Sequence, residues 1–385
     1  MPRSRIGHES RSTTTVLVAA VSILAASCSG DFYDPPGLRA DVEAGDVLRS
    51  EPIALQEGVD GTAQRVLYVS TDIEGEPIAV SGVIVRPTGD PPEGGFPVVS
   101  WAHGTTGVAD QCAPSHTEPF ALDGMAEIVN NGYVLAATDY EGLGTPGIHP
   151  YLVGESEARG VLDIARAARQ EAGGGNKVVV WGHSQGGHAA LFAHQIAGDY
   201  ADDLEVLGVV ATAPPAGLAQ FLQQGVNDQD FLAFSAQAYG SWAQVYPEAD
   251  PATIATGEAL RSGGKALEEC TVSIASYIGS ADVKPSDVFK ADPADTAPWP
   301  ELTEENTPVG DERGIPLFVA HGGSDQLVPM EGTVAFVQAS CSAGEAVEFV
   351  TEPEWDHNAA FHAPMPQYLQ WMSDRVADAE PPSTC

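Results

Sequence analysis

The chain has 385 residues, 43% of them hydrophobic, enough to bury one large core or two smaller ones. Its 54 acidic residues against 17 basic ones give a formal net charge of −37, a surface that repels nucleic acid and anionic membranes, so neither is expected as a partner. Charge of this kind bears on solubility, not on the chemistry the chain performs.

At the start, Arg3, Arg5 and Arg11 precede an apolar run from Val16 to Ala26 that ends in the small-residue stretch "LAASCSG". A basic end, a short apolar stretch and small residues have the form of a secretory signal, residues 1–27, and the run is too short for a comfortable membrane span. Cys28 follows Ala25, Ala26 and Ser27 and resembles a bacterial lipoprotein cleavage box, although the customary leucine lies four places before the cysteine, as Leu24, instead of three. Two destinations remain open: free secretion, or a lipid anchor through Cys28 on the outer side of the cell membrane. Past that boundary four cysteines remain, Cys112, Cys270, Cys341 and Cys385, and an even number in an exported chain suggests two disulfides.

After an N-terminal extension (28–45), strand-like and helical runs alternate. "RVLYVS" and "IAVSGVIV" read as an early β pair, followed by "GGFPVVSWAHG", a helical stretch around Met125 to Asn130, and "YVLAATDYEG". Glu155 to Arg169 places Ala158, Val161, Leu162, Ala165 and Ala168 on one helical face. "KVVVW" and "VLGVVATAPPA" supply the fifth and sixth strands; "IPLFVAHGGSDQLVP" and "AVEFVTEPEWDHN" supply two more, and "QYLQWMSDRVA" closes the chain as a helix. The alternation indicates an α/β fold with a mostly parallel central sheet and helices on both faces, its core divided into 46–215 and 311–385. Between them, 216–310 shows no core strand and carries helical patches with Phe221, Leu222, Phe231, Phe234, Tyr239, Trp242 and Tyr246. That length is too great for a plain loop, and it reads as an inserted helical cap.

The run "KVVVWGHSQGGHAALFAH" stops its β-branched residues at Gly182-His183-Ser184-Gln185-Gly186 and resumes as an Ala-rich helix. A strand, G-x-S-x-G and a helix make a nucleophile elbow, in which small neighbours let a strained turn expose the serine hydroxyl. A hydroxyl needs a base to take its proton and a third group to orient the base. In the α/β-hydrolase order of serine, acid, histidine, Asp325 in "HGGSDQLVP" is the acid, and His357, on the loop after the next strand, is the base. His362 lies five residues further and is expected to pack at the closing helix. His321 precedes the acid and has the wrong order, and Asp356 is expected on the surface. The oxyanion hole calls for two backbone N–H donors: Gln185, directly after the nucleophile, and Thr105 in "WAHGTTG". His103 in that loop reads as structural. His183, His188 and His194 are spaced by five and six, which does not share a helical face, so no metal is expected, and the chemistry calls for no cofactor.

"DFYDPPG", "GDVLRSEPI", "WAHGTTGVADQCAPS", "DYEGLGTPGIHPYL", "WGHSQGGHAALFA" and the closing "PMPQYLQWMSDRV" with "PPSTC" together resemble the secretory lipase family, α/β-hydrolases of fungi and actinobacteria. The resemblance spans nearly the whole mature length. It implies an acyl-ester hydrolase with a helical cap, with Ser184, Asp325 and His357 as triad and Thr105 near the oxyanion hole. It also implies disulfides joining Cys112 to Cys270 and Cys341 to Cys385. The substrate expected is an acyl ester or lipid. A serine peptidase or acyltransferase on the same scaffold is the alternative, and a non-catalytic surface protein with this fold is a third reading.

Overall fold

The computed structural model describes residues 31–257 and 265–385; the signal segment and Cys28 lie outside the described residues. Nine strands form one sheet in the order β1-β2-β3-β5-β4-β6-β7-β8-β9. They are β1 (Val47–Ile53), β2 (Gly61–Thr71), β3 (Pro77–Pro87), β4 (Phe96–Ala102), β5 (Val134–Thr138), β6 (Gly174–His183), β7 (Glu205–Thr212), β8 (Leu317–Gly322) and β9 (Val347–Glu352). The first three pair antiparallel, β2 and β3 in unbroken register with Tyr68 opposite Val80, and β3 pairs antiparallel with β5. All pairings from β5 onward are parallel. Parallel strands lie under helices on both faces, which is why β5 and the middle of β6 are runs of buried apolar residues without alternation.

Helices α1 (Met125–Asn130), α2 (Gly154–Ala172) and α3 (Gln185–Tyr200) belong to the first part of the core. The segment between β7 and β8 contains α4 (Leu218–Asn227), α5 (Leu232–Val245), α6 (Thr271–Ala281), α7 (Pro285–Val288) and α8 (Trp299–Glu305), and among its described residues no strand joins the sheet. The second part adds α9 (Met330–Ala343), α10 (Ala359–His362) and α11 (Met365–Val376). Phe221, Leu222, Tyr239, Trp242 and Tyr246 of the 216–310 segment close into their own apolar cluster, which also takes in Val108, Tyr151, Leu152 and Val153 from the core loops. No helix among the described residues is long and apolar enough to cross a membrane.

Two elements differ from the sequence expectation. The strand read as sixth is seventh in the chain, because β1 precedes the early pair; its residues are half exposed and include Arg49, Ser50 and Glu51, so this edge strand has no apolar pattern to reveal it. The helix α9 between β8 and β9 was not expected; it buries only Thr333, Phe336, Val337 and Ser340, a short stripe in a polar, small-residue sequence.

Candidate active site

β6 lies in the middle of the sheet between β4 and β7, and the chain leaves it at Ser184 with φ 58° and ψ −121°. A non-glycine residue adopts that conformation only where its surroundings enforce it. Here the glycines permit it. A methyl group on Gly182 would overlap the Gly186 carbonyl, and one on Gly186 would overlap the Ala102 carbonyl at the end of β4. One on Gly187 would come to 3.0 Å from the Thr212 carbonyl oxygen and 3.1 Å from Pro214. The first turn of α3 can therefore seat directly on the ends of β4 and β7, with Ser184 N donating to Thr212 O at 2.9 Å.

Asp325 and His357 arrive from the carboxyl ends of β8 and β9, the edge of a parallel sheet at which ligand sites gather. The Asp325 side chain is fully buried. Its Oδ1 accepts from the Leu327 N–H at 2.8 Å and the Val328 N–H at 2.9 Å, and its Oδ2 lies 2.8 Å from His357 Nδ1. Burial alone would raise this carboxyl, but hydrogen bonds from His321 and His357 outweigh it and hold the group well below the usual carboxylate range. The His357 ring packs 4.8 Å, centroid to centroid, from that of His183, the residue immediately before Ser184. His183 bonds Thr212 Oγ1 through Nδ1 at 3.0 Å, and burial, with His357 beside it, pushes its basicity down to about 3. Among the described residues Ser184 Oγ has no hydrogen-bond partner; hydroxyl–imidazole bonds of this type commonly tighten only when substrate is bound.

His362 and Asp356 stand apart from this contact. His362 is half exposed at the end of α10, its Nδ1 3.6 Å from Asp123 Oδ2. Asp356 is exposed and accepts from the Ala359 N–H at 2.8 Å, capping that helix.

Gln185 is the first residue of α3, so its N–H has no intrahelical acceptor and lies at the positive end of the helix. The loop after β4 passes beside the serine: a methyl on Gly104 would sit 3.6 Å from Ser184 Cβ. Thr105, the next residue, shares a hydrogen bond of 2.9 Å between its Oγ1 and Tyr151 OH. His103 is buried, its Nδ1 2.6 Å from Gly104 O and its own carbonyl accepting from Tyr140 OH at 2.9 Å, which is a structural role. The same loop is tied to the inserted segment. Cys112 is bonded to Cys270 and the Thr271 N–H donates to Thr106 O at 3.0 Å, while Tyr151, the partner of Thr105 on the loop before α2, accepts from Trp242 Nε1 at 2.9 Å through its carbonyl. The second bridge, Cys341 to Cys385, fastens the chain end to α9.

A buried polar cluster under the elbow went unseen in the sequence. Glu157 of α2 is fully buried, and its Oε1 accepts from Gln185 Nε2 at 2.7 Å and from the Leu152 N–H at 2.9 Å. Its Oε2 lies 2.8 Å from His188 Nδ1, and His188 Nε2 donates to the Asn306 carbonyl at 2.8 Å. Gln185 Nε2 also lies 2.7 Å from His149 Nε2, and burial lowers His149 to about 4, so that ring is neutral and accepts. Glu157 thus links the side chain of the oxyanion candidate to the inserted segment through His188. An acid near a helix start normally reads as a solvated dipole partner, so the residue pattern alone does not mark Glu157 as buried. His194, further along α3, turns instead to Glu345 at 3.3 Å and Ile315 O at 3.1 Å. His321, set aside on chain order, lies against Asp325, with Nε2 3.3 Å from Oδ2.

A family model described as "Secretory lipase" matches residues 121–383, about two thirds of the chain. Lipase 5 of Candida albicans is 25% identical over 391 aligned positions, covering 93% of this chain and 82% of its own length. A Mycobacterium tuberculosis protein described as a "Probable inactive lipase" is 23% identical, covering 90% of this chain and 81% of its own. Among solved structures, Candida antarctica lipase A in its closed state superposes with a TM-score of 0.76 at 18% identity, over 93% of this chain and 88% of that one. A rice cell wall degrading esterase from Xanthomonas oryzae superposes with a TM-score of 0.73 at 18% identity, over 88% of this chain and all of that one. With the sheet, the elbow at its centre and this match in hand, the chain belongs to the secretory lipase family and has the α/β-hydrolase fold.

Proposed function

We propose that this protein is an exported serine carboxylic-ester hydrolase acting through Ser184, His357 and Asp325. Ser184 Oγ attacks the ester carbonyl while His357 takes its proton. The tetrahedral oxyanion is met by the N–H groups of Gln185 and Thr105. His357 then protonates the leaving alcohol, an acyl-enzyme remains on Ser184, and water activated by the same imidazole releases the acid. Asp325 holds His357 in the tautomer whose Nε2 can accept and stabilises the imidazolium that forms. One observation carries the reading: an ionised, fully buried carboxylate bonded at 2.8 Å to an imidazole that packs against the residue preceding an elbow serine. Residues 46–215 and 311–385 form the catalytic core, and 216–310 is a cap whose aromatic cluster and disulfide hold the oxyanion loop. After removal of 1–27 the protein is released or anchored through Cys28.

The relative described as inactive gives substance to a second reading, a folded surface protein without turnover. Both readings meet one experiment: rates on p-nitrophenyl esters from two to sixteen carbons, on emulsified triglyceride and on a matched p-nitroanilide, for the parent and Ser184→Ala. Ester turnover that falls by about 10⁴-fold or more in the variant supports the hydrolase. Turnover of the anilide at rates equal to the ester points to a peptidase, and no turnover by a folded parent points to the non-catalytic protein.

A further inference from the structure

His321 is the fifth residue of the fully buried strand β8, and its side chain is inaccessible to solvent. Its Nε2 lies 3.0 Å from the Val328 carbonyl oxygen and 3.3 Å from Asp325 Oδ2. Both atoms are acceptors: a carbonyl never donates, and the Asp325 carboxyl is held in its ionised form. Nε2 must therefore carry a proton. Nδ1 lies 2.9 Å from Thr333 Oγ1, whose hydroxyl donates to Pro214 O at 3.0 Å.

We infer that His321 is a positioning residue for the catalytic acid, sharing its one Nε2–H between the Val328 carbonyl at 3.0 Å and, as a longer contact of 3.3 Å, Asp325 Oδ2, and so locking the 325–328 turn. The inference rests on Asp325 being the acid of the proposed triad. Val328 N–H donates to Oδ1 while the Val328 carbonyl accepts from His321, so the turn is fastened at both ends of one residue. Leu327 N–H fills the other side of Oδ1, and Oδ2 faces His357 at 2.8 Å with His321 Nε2 3.3 Å from it. The carboxylate is then fixed in rotation and partly neutralised. Without the His321 donor the 325–328 turn loosens and the acid–base pair is less well aligned, while Oδ2, still bonded to His357, carries fuller negative charge and makes the imidazolium of His357 harder to deprotonate. The other titratable groups around His357 are His183 at the end of β6 and, on its own segment, Asp356 and His362; none changes when His321 is replaced.

The two ring nitrogens can be separated by amide substitutions in the full-length protein. In His321→Gln the side-chain amide reaches the place of Nε2, toward Asp325 and Val328. In His321→Asn it reaches only the place of Nδ1, toward Thr333. Active sites are counted with a fluorophosphonate, and kcat and KM for p-nitrophenyl butyrate are measured from pH 4.5 to 9. The expected result is a loss of about 10- to 100-fold in kcat per labelled site for asparagine, with little change in KM, and an acid limb of kcat/KM displaced to higher pH. Glutamine restores most of the rate and the position of the limb. Should the asparagine variant fail to accumulate, His321→Leu takes its place with the same expected displacement. Equal behaviour of glutamine and asparagine, or an acid limb that does not move, overturns the inference. A parent that neither labels nor hydrolyses the ester refutes the triad instead, and that result precedes any comparison of variants.

Discussion

Cys112→Ser combined with Cys270→Ser removes the covalent tie between the oxyanion loop region and the inserted segment. The bridge spans 158 positions, and the loop-closure relation for a ring of that size gives about 5 kcal/mol at 25 °C, an upper figure because the unfolded chain keeps some structure. The hydrogen bonds that remain beside the bridge are neutral, Thr271 N–H to Thr106 O at 3.0 Å and Gln111 Nε2 to Glu268 O at 2.5 Å, each worth about 1 kcal/mol. They cannot replace the bridge. At roughly 2 °C per kcal/mol for a domain of this size, the midpoint of thermal unfolding should fall by on the order of 10 °C. Loosening at the seam should reach substrates that extend under the cap first. KM for long acyl esters is expected to rise while kcat for short ones is still close to that of the parent. Calorimetry and kinetics on a two- and a twelve-carbon ester, without reductant, measure both. An unfolding midpoint within 2 °C of the parent, or equal losses on both esters, would refute the reasoning.

His357→Ala should damage ester hydrolysis as much as loss of the serine, since triad members act as a unit, whereas His362→Ala should cost far less; the reverse order in kcat would move the base. Gly186→Ala should lower kcat at least 100-fold and destabilise the fold by roughly 1–3 kcal/mol, because its methyl meets the backbone carbonyl of Ala102; retained activity with an unchanged denaturation midpoint would contradict the elbow packing. Glu141, whose Oε2 accepts from Ser156 Oγ at 2.6 Å, is raised by burial from 4.5 to about 7. Its folded form holds a proton that the unfolded chain releases, so this contribution is full below about pH 4.5 and is lost as pH rises through 7. Glu141→Gln should flatten that decline, raising stability at pH 8 relative to pH 5 by no more than about 3 kcal/mol and less where solvent screens the carboxylate; identical pH dependence of the two urea midpoints would count against it.

The sheet's parallel half was legible because buried parallel strands are written as short β-branched runs, as in Val178 to Val180, and the serine because an elbow needs glycines within two positions of it. Chain order, with placement on the loops after the two late strands, sorts Asp325 and His357 from their neighbours, and the structure puts that pair in contact at 2.8 Å. The same rule hid His321, since chain order says which group can be the base but not which group steadies the acid. Glu157 was hidden for a different reason. Its burial is decided by α3 closing over it, with bonds to Gln185 and His188, 28 and 31 positions away, that no local pattern in "GESEARG" records. Edge strand β1 shows no apolar alternation because none of its residues is fully buried and Arg49, Ser50 and Glu51 fill its middle.

The central claim is that Ser184 carries the acyl group, and the most direct measurement is the mass of the protein caught during turnover. Full-length protein mixed with excess p-nitrophenyl butyrate and quenched in acid should show one added butyryl group per chain, mapped by peptide fragmentation to Ser184, with a matching burst of p-nitrophenol. The adduct should be absent from Ser184→Ala. Turnover without any adduct, or a butyryl group on a different side chain that forms equally in the alanine variant, would contradict the account.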